Sequence, residues 1–278
     1  VEEVVAGNNG HPGQSVIAKV AAILGAFTGE RVQLSLSDLC RATGLPTSTV
    51  HRLAQELIGL GVLERSRDRR YMVGARPWEL AARASRVSVL REAALPYMHD
   101  LHHATRQHVQ LAVADGDQAL LVEKISGLGA IPTVGRAGGR LPLHASGVGK
   151  AILAHSSPAV QDRIVTGVLV RYTPKTLTSP DALRTALAEV RRVGHATCDE
   201  ELTLGAVSCA APVFGPRSAM VAAVSVVGPA SSGALHEMAA AVRTIAHGIS
   251  RALHAMPASR PVGGMSPLSH LLVGGALR

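Results

Sequence analysis

Residues 36–63, LSDLCRATGLPTSTVHRLAQELIGLGVL, constrain the fold more than any other stretch of the chain. Apolar Leu36, Leu39, Ala42 and Leu45, then Val50, Leu53, Leu57 and Leu60, recur at three- and four-residue intervals, the period of two short amphipathic helices. Gly44 separates them, Pro46 resists continuation of the first, and Thr47 or Ser48 is placed to cap the second. The outline is a helix-turn-helix, with Val50, Leu53 and Leu57 assigned to its core.

The polar face of the second helix carries Thr47, Ser48, Thr49, His51, Arg52 and Gln55. Short hydroxyls, Arg and Gln reach phosphates and base edges when a helix N-terminus enters the major groove. Taken alone, such a face also suits a solvated helical hairpin. The next segment favours nucleic acid: Val62 to Gly74 reads as two strands around a charged turn, a wing. Arg65, Arg67, Arg69 and Arg70 outnumber Glu64 and Asp68 there, so the tip suits phosphate or minor-groove contacts. Operator choice is assigned to Thr47 through Arg52.

A length of 278 residues with 47% apolar content predicts two domains with sizeable cores, and a net charge of +8 agrees with a polyanionic partner. Cys40, Cys198 and Cys209 have neither zinc spacing nor a paired framework, which favours a reducing cytoplasm. No run of about 18 apolar residues and no signal-like N-terminus is present, so a soluble chain away from the membrane is expected.

Residues 1–13 read as a flexible leader, and Val16, Ile17, Val20, Ile23, Leu24 and Phe27 as a core helix ending near Gly29. After the wing, a helix begins at Pro77-Trp78 and continues to about Thr105, bent or divided at Pro96. Trp78 is read as a packing anchor and a contributor to dimerisation. His99, His102, His103 and His108 have spacings that could put ligands on one helical face, but no Cys or carboxylate set completes a metal site, and solvated surface is expected. From Val109 the pattern changes to short apolar runs. VQLAVADG and QALLVEKISG flank an Asp115-Gly116-Asp117 turn, and further strands are predicted at 131–134, 194–198, 208–213 and 220–227. Helices are predicted at 148–154, 158–165, 180–193 and 232–253, which makes an α+β domain. Residues 255–278 read as a flexible tail.

Leu141 to Lys150, LPLHASGVGK, precedes an apolar helix start, and exposed amides there make an anion site. A phosphate loop would need Gly at His144 and Ser or Thr at Ala151, and a GxSxG elbow fails at the same His144, so a carboxylate-sized ligand is the better fit. Asp199, Glu200 and Glu201, followed by Cys209, carry no recognisable base or third group, so a solvated acidic loop or ligand contacts outrank catalysis. No cofactor is expected.

These motifs together resemble the IclR family of bacterial transcriptional regulators. QSVIAKVAAILGAF, LSLSDLCRATGLPTSTVHRLAQELIGLGVLE, RYMVGARPWEL, GRLPLHASGVGKAILA, GHATCDEELTLGAVSCAAPVF and AAVSVVGP match in order across about residues 14–254. The resemblance implies a winged helix-turn-helix at 14–75, a linker helix at 76–90 and a GAF-like α+β effector-binding domain at 91–254. It implies operator DNA as partner, a homodimer or homotetramer, and a small organic-acid or aromatic effector. Effector contacts carried over by the motif are Gly147, Val148, Asp199, Cys209 and Ser225, with walls at Ala130, Thr133, Leu141 and Val207. The family's second serine is Val227 here, which removes a hydroxyl and points to a larger, more apolar acid. The rival readings are an enzyme acting on such an acid and a protein-docking winged helix.

Overall fold

The computed structural model describes residues 15–29, 31–84, 86–126, 135–232 and 235–256. The expected leader, the strand at 131–134 with Ala130 and Thr133, and the tail beyond Met256 lie outside them. The chain divides into two compact units, Val1–Ser85 and Arg86–Arg278, a division that falls inside the segment expected to link the domains.

In the first unit, α1 (Val16–Gly25), α2 (Leu36–Thr43) and α3 (Thr47–Gly59) precede a hairpin of β1 (Leu63–Arg65) and β2 (Tyr71–Val73), then α4 (Arg76–Ala84). Helix α2 starts in a capping box: Ser35 Oγ accepts from the Asp38 amide, and the Asp38 carboxylate accepts from the Ser35 amide. It ends at Gly44 in the left-handed conformation (φ 68°), which frees the chain to reverse into α3. Ile23, Leu39, Leu45, Val50, Leu53, Leu57, Leu63 and Tyr71 form the core. Leu34 exchanges backbone hydrogen bonds with Tyr71 (2.9 and 2.7 Å), adding a bridge beside the wing.

Several sequence expectations for this unit are corrected. Helix α1 ends at Gly25 rather than near Gly29, and only its C-terminal half packs, leaving Val16 and Ile17 exposed. Ala42 and Leu60 lie outside the core despite their spacing. Trp78 is 68% exposed, so it anchors nothing within this unit. The N-cap of α3 is Pro46, which has no side-chain hydroxyl, so neither Thr47 nor Ser48 caps it.

In the second unit, α5 (Arg86–Thr105) runs through Pro96 without interruption. Pro96 is exposed, where water can replace the hydrogen bond that proline cannot donate. Strands β3 (His108–Asp115), β4 (Gln118–Ile125), β5 (Arg140–Pro142), β6 (Ala196–Asp199), β7 (Ala206–Phe214) and β8 (Met220–Pro229) form one antiparallel sheet in the order β5-β4-β3-β8-β7-β6. The β3–β4 turn has Gly116 at φ 59° between paired Asp115 and Gln118, as the Asp-Gly signal predicts. Strand β5 was not foreseen: it has three residues and ends in Pro142, which an edge strand tolerates.

Both faces of the sheet are covered. Helices α5 and α9 (Leu235–Ala255) bury Val109, Leu111, Val113, Cys209, Ala211, Val224 and Val226. Helix α6 (Gly147–Ala154), α7 (Pro158–Thr166) and α8 (Pro180–Val193) cover the other face, where the strands present Ala112, Ala210 and Ala223. Alanines bring α6 close to the sheet, and all eight of its residues are buried. Two-sided burial explains why β7 and β8 read as continuous apolar runs.

Candidate functional site

The first turn of α3 places Thr47, Ser48, His51 and Arg52 at the surface with Thr49 half-buried, above Val50 and Leu53 in the core. With proline at the N-cap, no side chain occupies the first-turn amides of α3, and amides at a helix start favour an anion such as a phosphate. Arg52 Nη1 pairs with Glu56 Oε1 at 2.6 Å, one turn along the same exposed face. In the wing, the Arg65 guanidinium lies 5.5 Å from the Tyr71 ring centroid, and its Nε donates to the Arg69 carbonyl at 3.4 Å. The turn closes through Ser66 N to Arg70 O at 2.8 Å, with Arg69 left-handed at φ 61° and Arg67, Arg69 and Arg70 exposed.

The second unit holds a cavity of about 40 Å³ between the sheet and the start of α6. Ser146 caps that helix by accepting from the Gly149 amide at 3.1 Å. Gly147 and Val148 then stand in the first turn, where helix geometry gives their amides no intrahelical acceptor. Glycine is required twice here. A Cβ on Gly147 would stand 2.5 Å from Ser208 Oγ, and one on Gly149 would stand 2.4 Å from the Pro142 carbonyl oxygen.

The structure brings Leu141, Gly147, Val148, Val207, Ser225 and Val227 around this cavity, joined by residues that sequence reasoning did not select: Gln110, Ser146, Cys198, Leu202, Thr203, Ala206 and Ser208. Ser225 is 1% exposed, and its Oγ is buried without a hydrogen-bond partner. Val227 lines the wall with apolar surface where a serine would present a hydroxyl.

Two expected contacts are not on the cavity. Cys209 faces the α5/α9 core beside its cross-strand partner Val226, and burial pushes its thiol up to about 12. The cavity thiol is Cys198, directly opposite Ser208; its Sγ donates to the Ala145 carbonyl at 3.3 Å, and burial raises its pKa. Asp199 is exposed and bonds Lys175 at 3.1 Å, as Glu200 does at 2.6 Å. The Lys175 ammonium holds Glu200 below the usual carboxylate range. Glu201 does not belong to a solvated loop: it is 7% exposed and forms an ion pair with Lys150, which is 4% exposed. Residue type signals neither fate, since the buried cation lies 51 positions away.

Among the described residues no three His, Cys, Asp or Glu side chains gather as a metal-binding group, and His102 Nδ1 instead meets the Gln107 carbonyl at 2.8 Å. No described helix is long and apolar enough to cross a membrane.

A winged helix followed by an α+β unit that encloses a cavity has the layout of a DNA-binding regulator with a C-terminal effector domain. Family models agree: the bacterial transcriptional regulator IclR C-terminal domain matches residues 82–251, and the IclR helix-turn-helix domain matches residues 16–67. The chain belongs to the IclR family of bacterial transcriptional regulators. It is 30% identical over 212 residues to the HTH-type transcriptional regulator XynR of Escherichia coli, covering 76% of this chain and 84% of that protein. It is 34% identical over 198 residues to BhcR of Paracoccus denitrificans, covering 70% and 71%. The crystal structure of an IclR homolog from Microbacterium hydrocarbonoxydans complexed with 4-hydroxybenzoate superposes with a TM-score of 0.83 at 36% identity, covering 86% of this chain and 99% of that one.

Proposed function

We propose that this protein is a cytoplasmic, homo-oligomeric regulator that reads operator DNA with the first turn of α3 and the wing arginines, and is controlled by a monocarboxylic acid bound beside α6. The observation that carries the effector reading is one cavity lined both by the first turn of α6, at Gly147 and Val148, and by an unsatisfied buried hydroxyl at Ser225. Helix-start amides favour an anion, and the apolar walls at Leu141, Val148, Leu202 and Val227 favour a carboxylate with an apolar middle. The related regulator complexed with 4-hydroxybenzoate supports an acid of this class.

A cavity of about 40 Å³ accepts a small acid directly. A benzene ring occupies a cavity of about 150 Å³, so an aromatic acid requires Leu141, Leu202 or Val227 to move outward. Binding that prefers one placement of the effector units then changes the spacing of the paired recognition helices. Exposed Trp78, Ile17 and Val16 leave apolar surface in the DNA-binding unit, in keeping with self-association. Enzymatic turnover is disfavoured because both thiols in this unit are raised away from the thiolate form.

Thermal-shift titration with glyoxylate, pyruvate, benzoate and 4-hydroxybenzoate tests the reading. At least one acid should raise the melting temperature, and Gly147→Ala, which drives a methyl against Ser208, should abolish the shift. A flat response to the whole panel, or an undiminished shift in Gly147→Ala, refutes it.

A further inference from the structure

The α6-facing side of the sheet carries alanines at Ala112, Ala210 and Ala223, yet it also holds the buried polar side chains of His108, Gln110, Ser208 and Ser225, two of them directly side by side. Gln110 on β3, 3% exposed, stands directly opposite Ser225 on β8, and Ala210 on β7 completes the row. Their neighbours on the same face are Ala112 and Ala223 on one side and His108 and Val227 on the other. A buried carboxamide and a buried hydroxyl weaken such a face unless they are used, and Ser225 Oγ has no partner among the described residues. Both residues line the cavity.

The anion-binding end lies elsewhere. Gly147 abuts Ser208 and Ala210 on β7, two strands away from β3. At about 4.8 Å per strand spacing, β3 and β7 are about 10 Å apart, with Ser225 on β8 between them. Gln110 therefore lies one strand beyond Ser225 from the β7 side that Gly147 abuts. Among the described residues no Lys, Arg, His, Asp or Glu lines the cavity. A second charge on the ligand would find no counter-ion among the described lining residues, which disfavours dicarboxylates and amino acids.

Resting on the monocarboxylate reading above, we infer that Gln110, paired with Ser225, is a specificity-determining residue that selects an effector carrying a neutral hydrogen-bonding group, a hydroxyl or carbonyl, at the end opposite its carboxylate. Gln110 supplies both a donor and an acceptor, and Ser225 supplies a hydroxyl. An acid without such a group leaves the buried Ser225 hydroxyl unsatisfied.

The test is calorimetric titration of the full-length protein with matched acids: 3-hydroxypropionate against propionate, 4-hydroxybenzoate against benzoate, and succinate as the doubly charged control. The hydroxylated member of a pair should bind about tenfold tighter, the size of one buried hydrogen bond lost with its partner left unpaired. Gln110→Leu should bring that ratio within about twofold, and Ser225→Ala, which removes a single oxygen, should reduce it part of the way. Succinate should not bind. A ratio unchanged in both variants, an equal loss of both members of a pair, or succinate binding as tightly as the hydroxy acids overturns the inference. If the wild-type protein binds none of the four monocarboxylates, the carboxylate reading itself falls, an outcome distinct from acids that bind without regard to their hydroxyl.

Discussion

Removing the Lys150 cation should destabilise the effector unit more than any change to its surface charges. Lys150 Nζ pairs with Glu201 Oε1, and the two side chains are only 4% and 9% exposed. The second carboxylate oxygen, Oε2, is already buried without a partner. In Lys150→Met the carboxylate loses the one counter-charge it has among the described residues and cannot swing into water, because Thr176 Oγ1 holds the Glu201 carbonyl at 2.6 Å and Thr173 Oγ1 holds that of Glu200 at 2.7 Å. Removing one partner of a buried pair costs about 3–5 kcal/mol. At about 2–4 °C per kcal/mol for a unit of this size, the melting temperature should fall by roughly 10 °C. Lys150→Met with Glu201→Leu removes both charges and should recover most of the loss, because a well-packed apolar pair replaces a buried ion pair at little cost. Urea unfolding followed by circular dichroism, run as a double-mutant cycle, reads both numbers. A loss below about 1 kcal/mol in Lys150→Met, the range of an exposed pair, would refute the reasoning, as would a double variant no more stable than the single ones.

Three further outcomes are expected. Gly149→Ala places a methyl 2.4 Å from the Pro142 carbonyl oxygen and 2.7 Å from Leu143 Cα, backbone that cannot rotate aside, and should cost about 1–3 kcal/mol in the same unfolding assay. Arg52→Ala should weaken binding to an operator duplex by about 1–3 kcal/mol while affecting random duplex far less; equal losses in a mobility-shift titration would reduce Arg52 to a phosphate contact. Burial, and secondarily the Arg191 cation, lowers the pKa of His155 below its ordinary 6.5, so the folded state holds it neutral. Its contribution is intact above that value and is lost as pH falls toward the folded-state pKa. Acidification from pH 7.5 to 5 should therefore lower the melting temperature, with a shallower slope in His155→Phe.

The helices and turns were legible because their signals are local. Helix α8 occupies Pro180–Val193 as read from sequence, with Ser179 capping its start, proline in its first turn and Gly194 closing it at φ 77°. The Asp-Gly hairpin and the recognition-helix core were legible for the same reason. Periodicity misled where a helix outruns its partners, as Val16 and Ile17 do in α1. Strand β5 is too short, and ends in a residue too unlike a strand, to be read before its pairing with β4 is known.

The site was harder to read because a strand alternates faces with every residue, and only pairing with distant strands says which face is which. Cys209 lies one position past Ser208 on β7, and that single step carries it from the cavity into the α5/α9 core. Cys198, opposite Ser208, takes the thiol position on the cavity instead. The acidic run shows the same dependence on remote partners: Asp199 and Glu200 meet Lys175 at the surface, whereas Glu201 meets Lys150 inside. Gln110 follows from this logic. On β3 alone it is one polar residue within an apolar run, and only its register with Ser225 turns it into half of a recognition pair. Residue type sets what each of these side chains can bind, while pairing across the sheet decides which of them share a cavity in which to bind it.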